Sequence, residues 1–124
     1  MSAENVVPTE LNYHSKSRMF EIAFGDDDRF QLSAEFLRVH SPSAEVRGHG
    51  PGQEVLQIGK ENVGIDRIEP VGNYAVRLYF DDGHDTGLYS FEELRRFCLH
   101  SEVMWNDYLS RLESAGHKRK SASS

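Results

Sequence analysis

Two stretches, LRVHSPSAEVRGHGP at residues 37–51 and FDDGHDTGLYSFEEL at residues 80–94, decide the fold of this chain. The first is rich in proline and glycine, which predicts a long loop over residues 39–54 that cannot stay regular throughout its length. The second opens with a tight-turn signal at Asp82-Gly83. It continues into SFEE, a capping box in which Ser90 accepts from the Glu93 backbone and the Glu93 carboxylate reaches back. A helix is therefore expected to begin at Ser90.

The residues around these stretches predict antiparallel strands. Alternating apolar positions and turn signals indicate strands at 20–24, 30–32, 63–68, 74–80 and 87–89, with a bulge near Ile65. Ser33 caps a short helix over SAEFLR, and a second helical stretch follows Ser101 and ends at Gly116. The expected fold class is α+β, with hairpins packed against a C-terminal helix or helix pair. Residues 1–16 are expected to be a partly ordered lead-in, residues 17–115 the domain, and residues 116–124 a disordered basic tail.

Composition limits the class of protein and its partners. A length of 124 residues suits one domain. The net charge of -6 argues against nucleic acid as the main partner, and no apolar run approaches the roughly 20 residues that span a bilayer. Cys98, the single cysteine, cannot form an internal disulfide, and the N-terminus lacks a basic start followed by an apolar stretch. A cytoplasmic protein is therefore expected.

Two segments, SPSAEVRGHG and YAVRLYFDDGHDTGLYSFEEL, carry a resemblance to a known family. The chain resembles, over roughly residues 8 to 100, the N-terminal domain of gamma-butyrobetaine hydroxylase and trimethyllysine dioxygenase. In that family a C-x-C-x-x-C clip and one histidine hold a structural zinc. Ser41, Ser43 and Val46 stand at the cysteine positions of this chain, and His84 matches the histidine. The resemblance thus implies the fold, whereas hydroxyls and a valine predict that the zinc site is lost.

Two alternatives follow for this relic site. In one, Ser41-Pro42-Ser43 closes the loop with hydroxyl-to-backbone hydrogen bonds, and His84 packs over it or caps a turn. In the other, His84 binds zinc or iron together with His49 or His40, since neutral imidazoles suit these metals.

A polar surface is predicted where the long loop meets the turn at 81–86. It is composed of Arg38, Arg47, His49, Asp82 and His84. An arginine there could bind a carboxylate or phosphate with two parallel hydrogen bonds. The favoured alternative is that Arg38 and Arg47 form ion pairs with the acidic turn inside the domain.

Catalysis is not expected from these residues. His84-Asp85 does not match the H-x-D pattern of the related oxygenases, and no oxygenase barrel follows. Cys98 lies on an apolar helix face beside Leu94 and Phe97, which favours a buried side chain with a raised pKa. A serine–histidine site built from Ser41 or Ser43 lacks a G-x-S-x-G turn and an evident acid partner.

The resemblance also indicates a class of function. Small bacterial proteins of this kind consist of the domain alone, and a similar domain is fused to Mrp-type ATPases that carry iron–sulfur clusters. It implies a non-catalytic interaction or accessory module that serves iron–sulfur or related metal metabolism, with a protein partner such as an iron–sulfur assembly component. The alternative is a metal-binding protein that uses His84.

Overall fold

The computed structural model describes residues 7–48 and 54–119, which form two three-stranded antiparallel sheets and three helices. In chain order the elements are β1 Glu10–His14, β2 Met19–Ala23, β3 Arg29–Ser33, α1 Ala34–Val39, α2 Ala44–Arg47, β4 Ile65–Val71, β5 Ala75–Phe80, β6 Gly87–Ser90 and α3 Phe91–Ser114. The sheet orders are β1-β2-β3 and β4-β5-β6. The predicted α+β class with antiparallel hairpins against a C-terminal helix is confirmed.

Local sequence signals explain where the helices begin. The Ser33 hydroxyl accepts a hydrogen bond from the Phe36 amide at 3.0 Å, and the Ser90 hydroxyl accepts from the Glu93 amide at 3.0 Å. Each satisfies an amide that the first turn of a helix leaves without a partner. The Glu93 carboxylate, expected to reach back to Ser90, instead accepts hydrogen bonds from Arg47 and Arg96.

The C-terminal helix is one element with a kink. His100 has φ −121° and ψ 20°, outside the helical region, so the two predicted helical stretches join there. The predicted bulge is also present, because the pairing of β4 with β5 shifts between Ile65 and Arg67. Strand β4 runs to Val71, three residues beyond the predicted strand end.

Both chain ends and the long loop contain ordered structure beyond what the sequence predicted. Residues 1–16 contain strand β1, which pairs with β2 over its whole length. The loop at 39–54 contains helix α2, whose buried Val46 anchors it. Near the other end, Arg119 forms two hydrogen bonds with the buried carboxylate of Glu35, at 2.7 and 2.6 Å, within the segment expected to be a solvated tail. Residues 120–124 lie outside the described part.

The core lies between the two sheets and α3. It is built from both sheets and the helices, with Phe20, Ile22, Leu37, Leu78, Leu94 and Phe97 fully buried. Cys98 is buried in it as expected, and burial raises the pKa of its thiol to about 12. Among the described residues no helix is long and apolar enough to cross a membrane.

Candidate functional site

The segment between α1 and α2 meets the turn between β5 and β6, and this contact brings three predicted site residues together. Ser41 Oγ lies 2.9 Å from His84 Nε2, and Ser43 Oγ lies 3.4 Å from the same nitrogen. The Ser43 amide donates to Ser41 Oγ at 3.3 Å. We call Ser41, Ser43 and His84 the His84 cluster. Hydroxyl and imidazole groups thus close the loop at the positions for which the family resemblance implies zinc ligands.

The contacts of His84 fix where its ring proton resides. Glu45 Oε1 lies 3.2 Å from His84 Nδ1, and a carboxylate at that distance favours a proton on this nitrogen. Nε2 then carries a lone pair and accepts the hydrogen bond from the Ser41 hydroxyl. Burial, with the nearby Arg38 cation, lowers the pKa of His84 below its usual 6.5, although Glu45 acts in the opposite direction. His84 is therefore a neutral imidazole at neutral pH.

Glu45, His84 and Ser41 have the order of a carboxylate–histidine–serine relay, but the histidine and the serine are buried away from solvent. Ser41 is 0% exposed and His84 is 8% exposed. A serine nucleophile must contact the substrate carbonyl while its histidine partner takes the hydroxyl proton. Because Ser41 has no exposed surface, it cannot contact a substrate in this arrangement. The cluster holds two segments of the fold together.

Two residues of β6, Gly87 and Tyr89, lie next to the His84 cluster. The Tyr89 hydroxyl donates to the Leu37 carbonyl, 52 residues away in the chain. Burial raises the pKa of Tyr89 well above its usual value. Gly87 leaves the space that Ser41 needs, because a Cβ at Gly87 would lie 2.7 Å from Ser41 Oγ and 2.9 Å from Tyr89 Cε1.

An ion-pair network lies beside the cluster. Asp82 Oδ2 accepts from Arg38 Nε at 2.9 Å and from Lys60 Nζ at 2.7 Å, while Asp82 Oδ1 accepts from the His84 amide at 3.1 Å. Partial burial acts to raise the pKa of Asp82, but the hydrogen bonds from Lys60, the His84 amide and Arg38 outweigh it and hold the pKa at about 2. Arg38 itself is 7% exposed. Its guanidinium group therefore binds Asp82 and Gln57 within the domain.

The remaining predicted residues lie elsewhere. Arg47 binds Glu93 at 2.8 Å rather than the acidic turn. His40 Nδ1 donates to the Phe36 carbonyl at 2.8 Å, and burial lowers the pKa of His40. His49 lies outside the described residues. Within residues 7–48 and 54–119, no three histidine, cysteine or acidic side chains come together as a metal site would require.

Sequence reasoning missed three residues that complete this site. Glu45, Lys60 and Tyr89 contact residues about 20 to 50 positions away, and no local pattern signals such pairs. Gly87 had a usable signal, since a glycine in a strand often marks the close approach of another segment.

Comparison with known proteins places this geometry in a family. Residues 11–95 match the profile of the family described as gamma-butyrobetaine hydroxylase-like, N-terminal. No protein of curated function matches the chain.

Solved structures agree with this assignment. Two proteins known from solution NMR structures are 46% and 52% identical to the chain, with TM-scores of 0.80 and 0.76. The first match covers 94% of both chains, and the second covers 90% of this chain and 83% of the other. A crystal structure of a protein of unknown function from the DUF971 family of Acidithiobacillus ferrooxidans is 37% identical, with a TM-score of 0.62. That match covers 74% of this chain and 92% of the other. The chain thus belongs to the family of gamma-butyrobetaine hydroxylase-like N-terminal domains.

Proposed function

We propose that this chain is a non-catalytic interaction or accessory module that binds a protein partner and serves iron–sulfur or related metal metabolism. The observation that carries the proposal is the burial of the His84 cluster. Ser41, the hydroxyl positioned beside a neutral histidine, has no exposed surface, and Cys98 is buried with a raised pKa. Groups suited to nucleophilic chemistry are therefore used for packing and hydrogen bonding.

Charge and family support a protein partner. The net charge of -6 disfavours a polyanion as the partner. The iron–sulfur part of the proposal rests on the resemblance to domains fused to cluster-carrying ATPases.

Affinity capture tests this proposal. The full chain, biotinylated at its N-terminus, serves as bait in extracts of its own cells. The proposal expects the same partner in replicate captures, and expects His84→Ala, if folded, to retain it. Failure to recover any reproducible partner would contradict the module.

A metal-binding function is the alternative, because the neutral form of His84 is the form that ligates metals. Metal analysis of protein purified without a histidine tag separates the two functions. Stoichiometric zinc or iron that disappears in His84→Ala would favour the metal-binding protein, and a metal-free wild-type chain would favour the module.

A further inference from the structure

The buried carboxylate of Glu35, on α1, holds a guanidinium group from the C-terminal segment. Arg119 Nε donates to Glu35 Oε2 at 2.7 Å, and Arg119 Nη2 donates to Glu35 Oε1 at 2.6 Å. The central carbon of this guanidinium lies 5.5 Å from the ring centroid of Trp105. We call Glu35 and Trp105 the Glu35 site. Two parallel hydrogen bonds and an aromatic face recognise arginine rather than lysine, because the lysine ammonium is a point charge.

The charges around the Glu35 site favour a cation. The charges that act most strongly on the Arg119 guanidinium are those of Glu35 and Glu61, both acidic. Lys118 belongs to the same segment as Arg119 and would leave with it, and Arg111 is paired with Asp107 at 3.1 Å. Because the Glu35 side chain is 6% exposed, a departing Arg119 leaves a buried carboxylate that needs another donor.

The segment that supplies Arg119 is held by few contacts. Helix α3 ends at Ser114, and residues 115–119 are exposed. The His117 amide donates to the Leu112 carbonyl at 2.9 Å, as part of the helix end. A cleft of about 350 Å³ remains between residues 117–119 and the chain at residues 58–62. An exposed segment above an unfilled space opens at far less than the cost of global unfolding, so the Glu35 site can exchange its arginine.

A groove of about 250 Å³ between β3 and α3 shares Trp105 with the Glu35 site. Leu32 and Phe36 give it an apolar floor. Among the described residues that line it, Glu102 alone is charged, and this residue is exposed. The groove therefore suits apolar and basic side chains beside an arginine.

We propose that the Glu35 site recognises an arginine in a basic segment of a partner protein, and that this arginine takes the place of Arg119. In the free chain, Arg119 fills the site and satisfies the Glu35 carboxylate. The partner's arginine makes the same contacts, and its neighbours occupy the groove beside Glu102. Because the tethered Arg119 competes at a high effective concentration, these neighbouring contacts are needed for binding. This inference rests on the proposed interaction module and assigns its partner-binding site.

A vacated site tests the recognition with a small probe. Trp105 is the only tryptophan of the chain, so its fluorescence and its indole N–H resonance report on this site. In Arg119→Ala, millimolar methylguanidinium should change both signals, whereas methylammonium should change neither. Adding Glu35→Gln should abolish the response, and adding Glu92→Gln, an exposed acid elsewhere on α3, should not. Equal responses to the two cations, or none in a folded Arg119→Ala, would overturn the proposal.

Selection from a random peptide library tests the partner chemistry. With the full chain as bait, the expected consensus is an arginine flanked by apolar or basic residues. A selected peptide should bind Arg119→Ala at least about tenfold more tightly than the wild-type chain, whose site is mostly filled by its own arginine. Lys118→Ala is the control and should bind like the wild type. A consensus without arginine, or equal affinities for Arg119→Ala and the wild type, would refute the site.

Two outcomes separate this site from the proposed function and from self-association. If a folded Glu35→Gln captures the cellular partner at wild-type yield, the site assignment fails and the interaction module stands. If the wild-type chain dimerises and Arg119→Ala does not, the arginine at Glu35 comes from a second copy of this chain, and the proposed partner protein is wrong.

Discussion

His84 Nε2 lies 2.9 Å from Ser41 Oγ, although the two residues are 43 positions apart in the chain. This hydrogen bond joins the segment before α2 to the turn after β5. It is buried, and the amide and the hydroxyl of Ser43 complete a local network with it. A buried polar network stabilises a fold only when its members are satisfied, and the contacts of His84 meet that condition.

Gly87→Ala tests how closely β6 approaches the cluster. The new methyl group would lie 2.7 Å from Ser41 Oγ, so Ser41 or the strand must shift. We expect a loss of about 1–3 kcal/mol in the free energy of unfolding, as for other overpacked sites. Urea denaturation measures it. Gly64→Ala is the control and should cost less, because the atoms nearest to its new methyl group, Asp81 Oδ2 at 3.0 Å and Tyr13 Oη at 3.2 Å, are farther away and are the ends of side chains that can move. Equal losses in the two variants would argue against a tight Ser41–Gly87 contact.

Acid should destabilise the chain through its buried histidines. Burial is the main cause that lowers the pKa values of His84 and His40 in the folded state. Near and below about pH 6.5, the unfolded chain therefore binds more protons than the folded chain does. The free energy of unfolding should therefore fall as the pH drops from about 7 through 6.5, until the folded pKa values are passed. Asp82 adds a second loss of stability as the pH falls from 3.8, the usual pKa of its carboxyl group, to about 2, its pKa in the folded state. Urea midpoints at stepped pH values measure these slopes.

His84→Gln should flatten the upper slope, and His84→Gln/His40→Gln should flatten it further, because each change removes one group that gains a proton on unfolding. A wild-type chain whose stability rises as the pH falls below 6.5 would contradict a neutral, buried His84.

The ion pair between Arg119 and Glu35 should anchor the C-terminal segment. The Glu35 side chain is 6% exposed, and Arg119 donates two hydrogen bonds to its carboxylate, at 2.6 and 2.7 Å. Arg119→Ala leaves this carboxylate buried without its partner, at an expected cost of about 1–3 kcal/mol. Thermal or urea unfolding measures it against Lys118→Ala, an exposed neighbour that should cost little. Identical stabilities would show that Arg119 is not held in solution.

Thiols introduced at the positions where the resemblance implies zinc ligands should create a zinc site. The triple variant Ser41→Cys/Ser43→Cys/Val46→Cys introduces three thiols, two of them at positions whose present hydroxyls lie 2.9 and 3.4 Å from His84 Nε2. Together with His84 they supply the ligand types of a closed tetrahedral site. Native mass spectrometry should find one zinc per chain, and adding His84→Ala should abolish or weaken it. A triple variant that folds but binds no zinc would contradict the convergence of these positions.

Particular residues show how far sequence reasoning reaches. The caps at Ser33 and Ser90 were predictable because their hydrogen bonds join residues three positions apart. Strand β1 was missed because only Leu11 and Tyr13 turn inward on this edge strand, and both are only half-buried. The proximity of Ser41 to His84 followed from family resemblance, but the hydrogen bond between their side chains was not predicted. Glu45 and Tyr89 depend on long-range packing that no local pattern encodes.

The central claim is that His84 joins the turn after β5 to the segment before α2 through hydrogen bonds. The protonation state of its ring tests this claim most directly. Long-range ¹H–¹⁵N correlation spectra of the full chain, purified without a histidine tag, distinguish the two ring nitrogens at neutral pH. The account predicts a neutral ring with its proton on Nδ1 and a hydrogen-bonded, unprotonated Nε2. A proton on Nε2, a charged ring, or a metal-shifted nitrogen that reverts on chelation would contradict it.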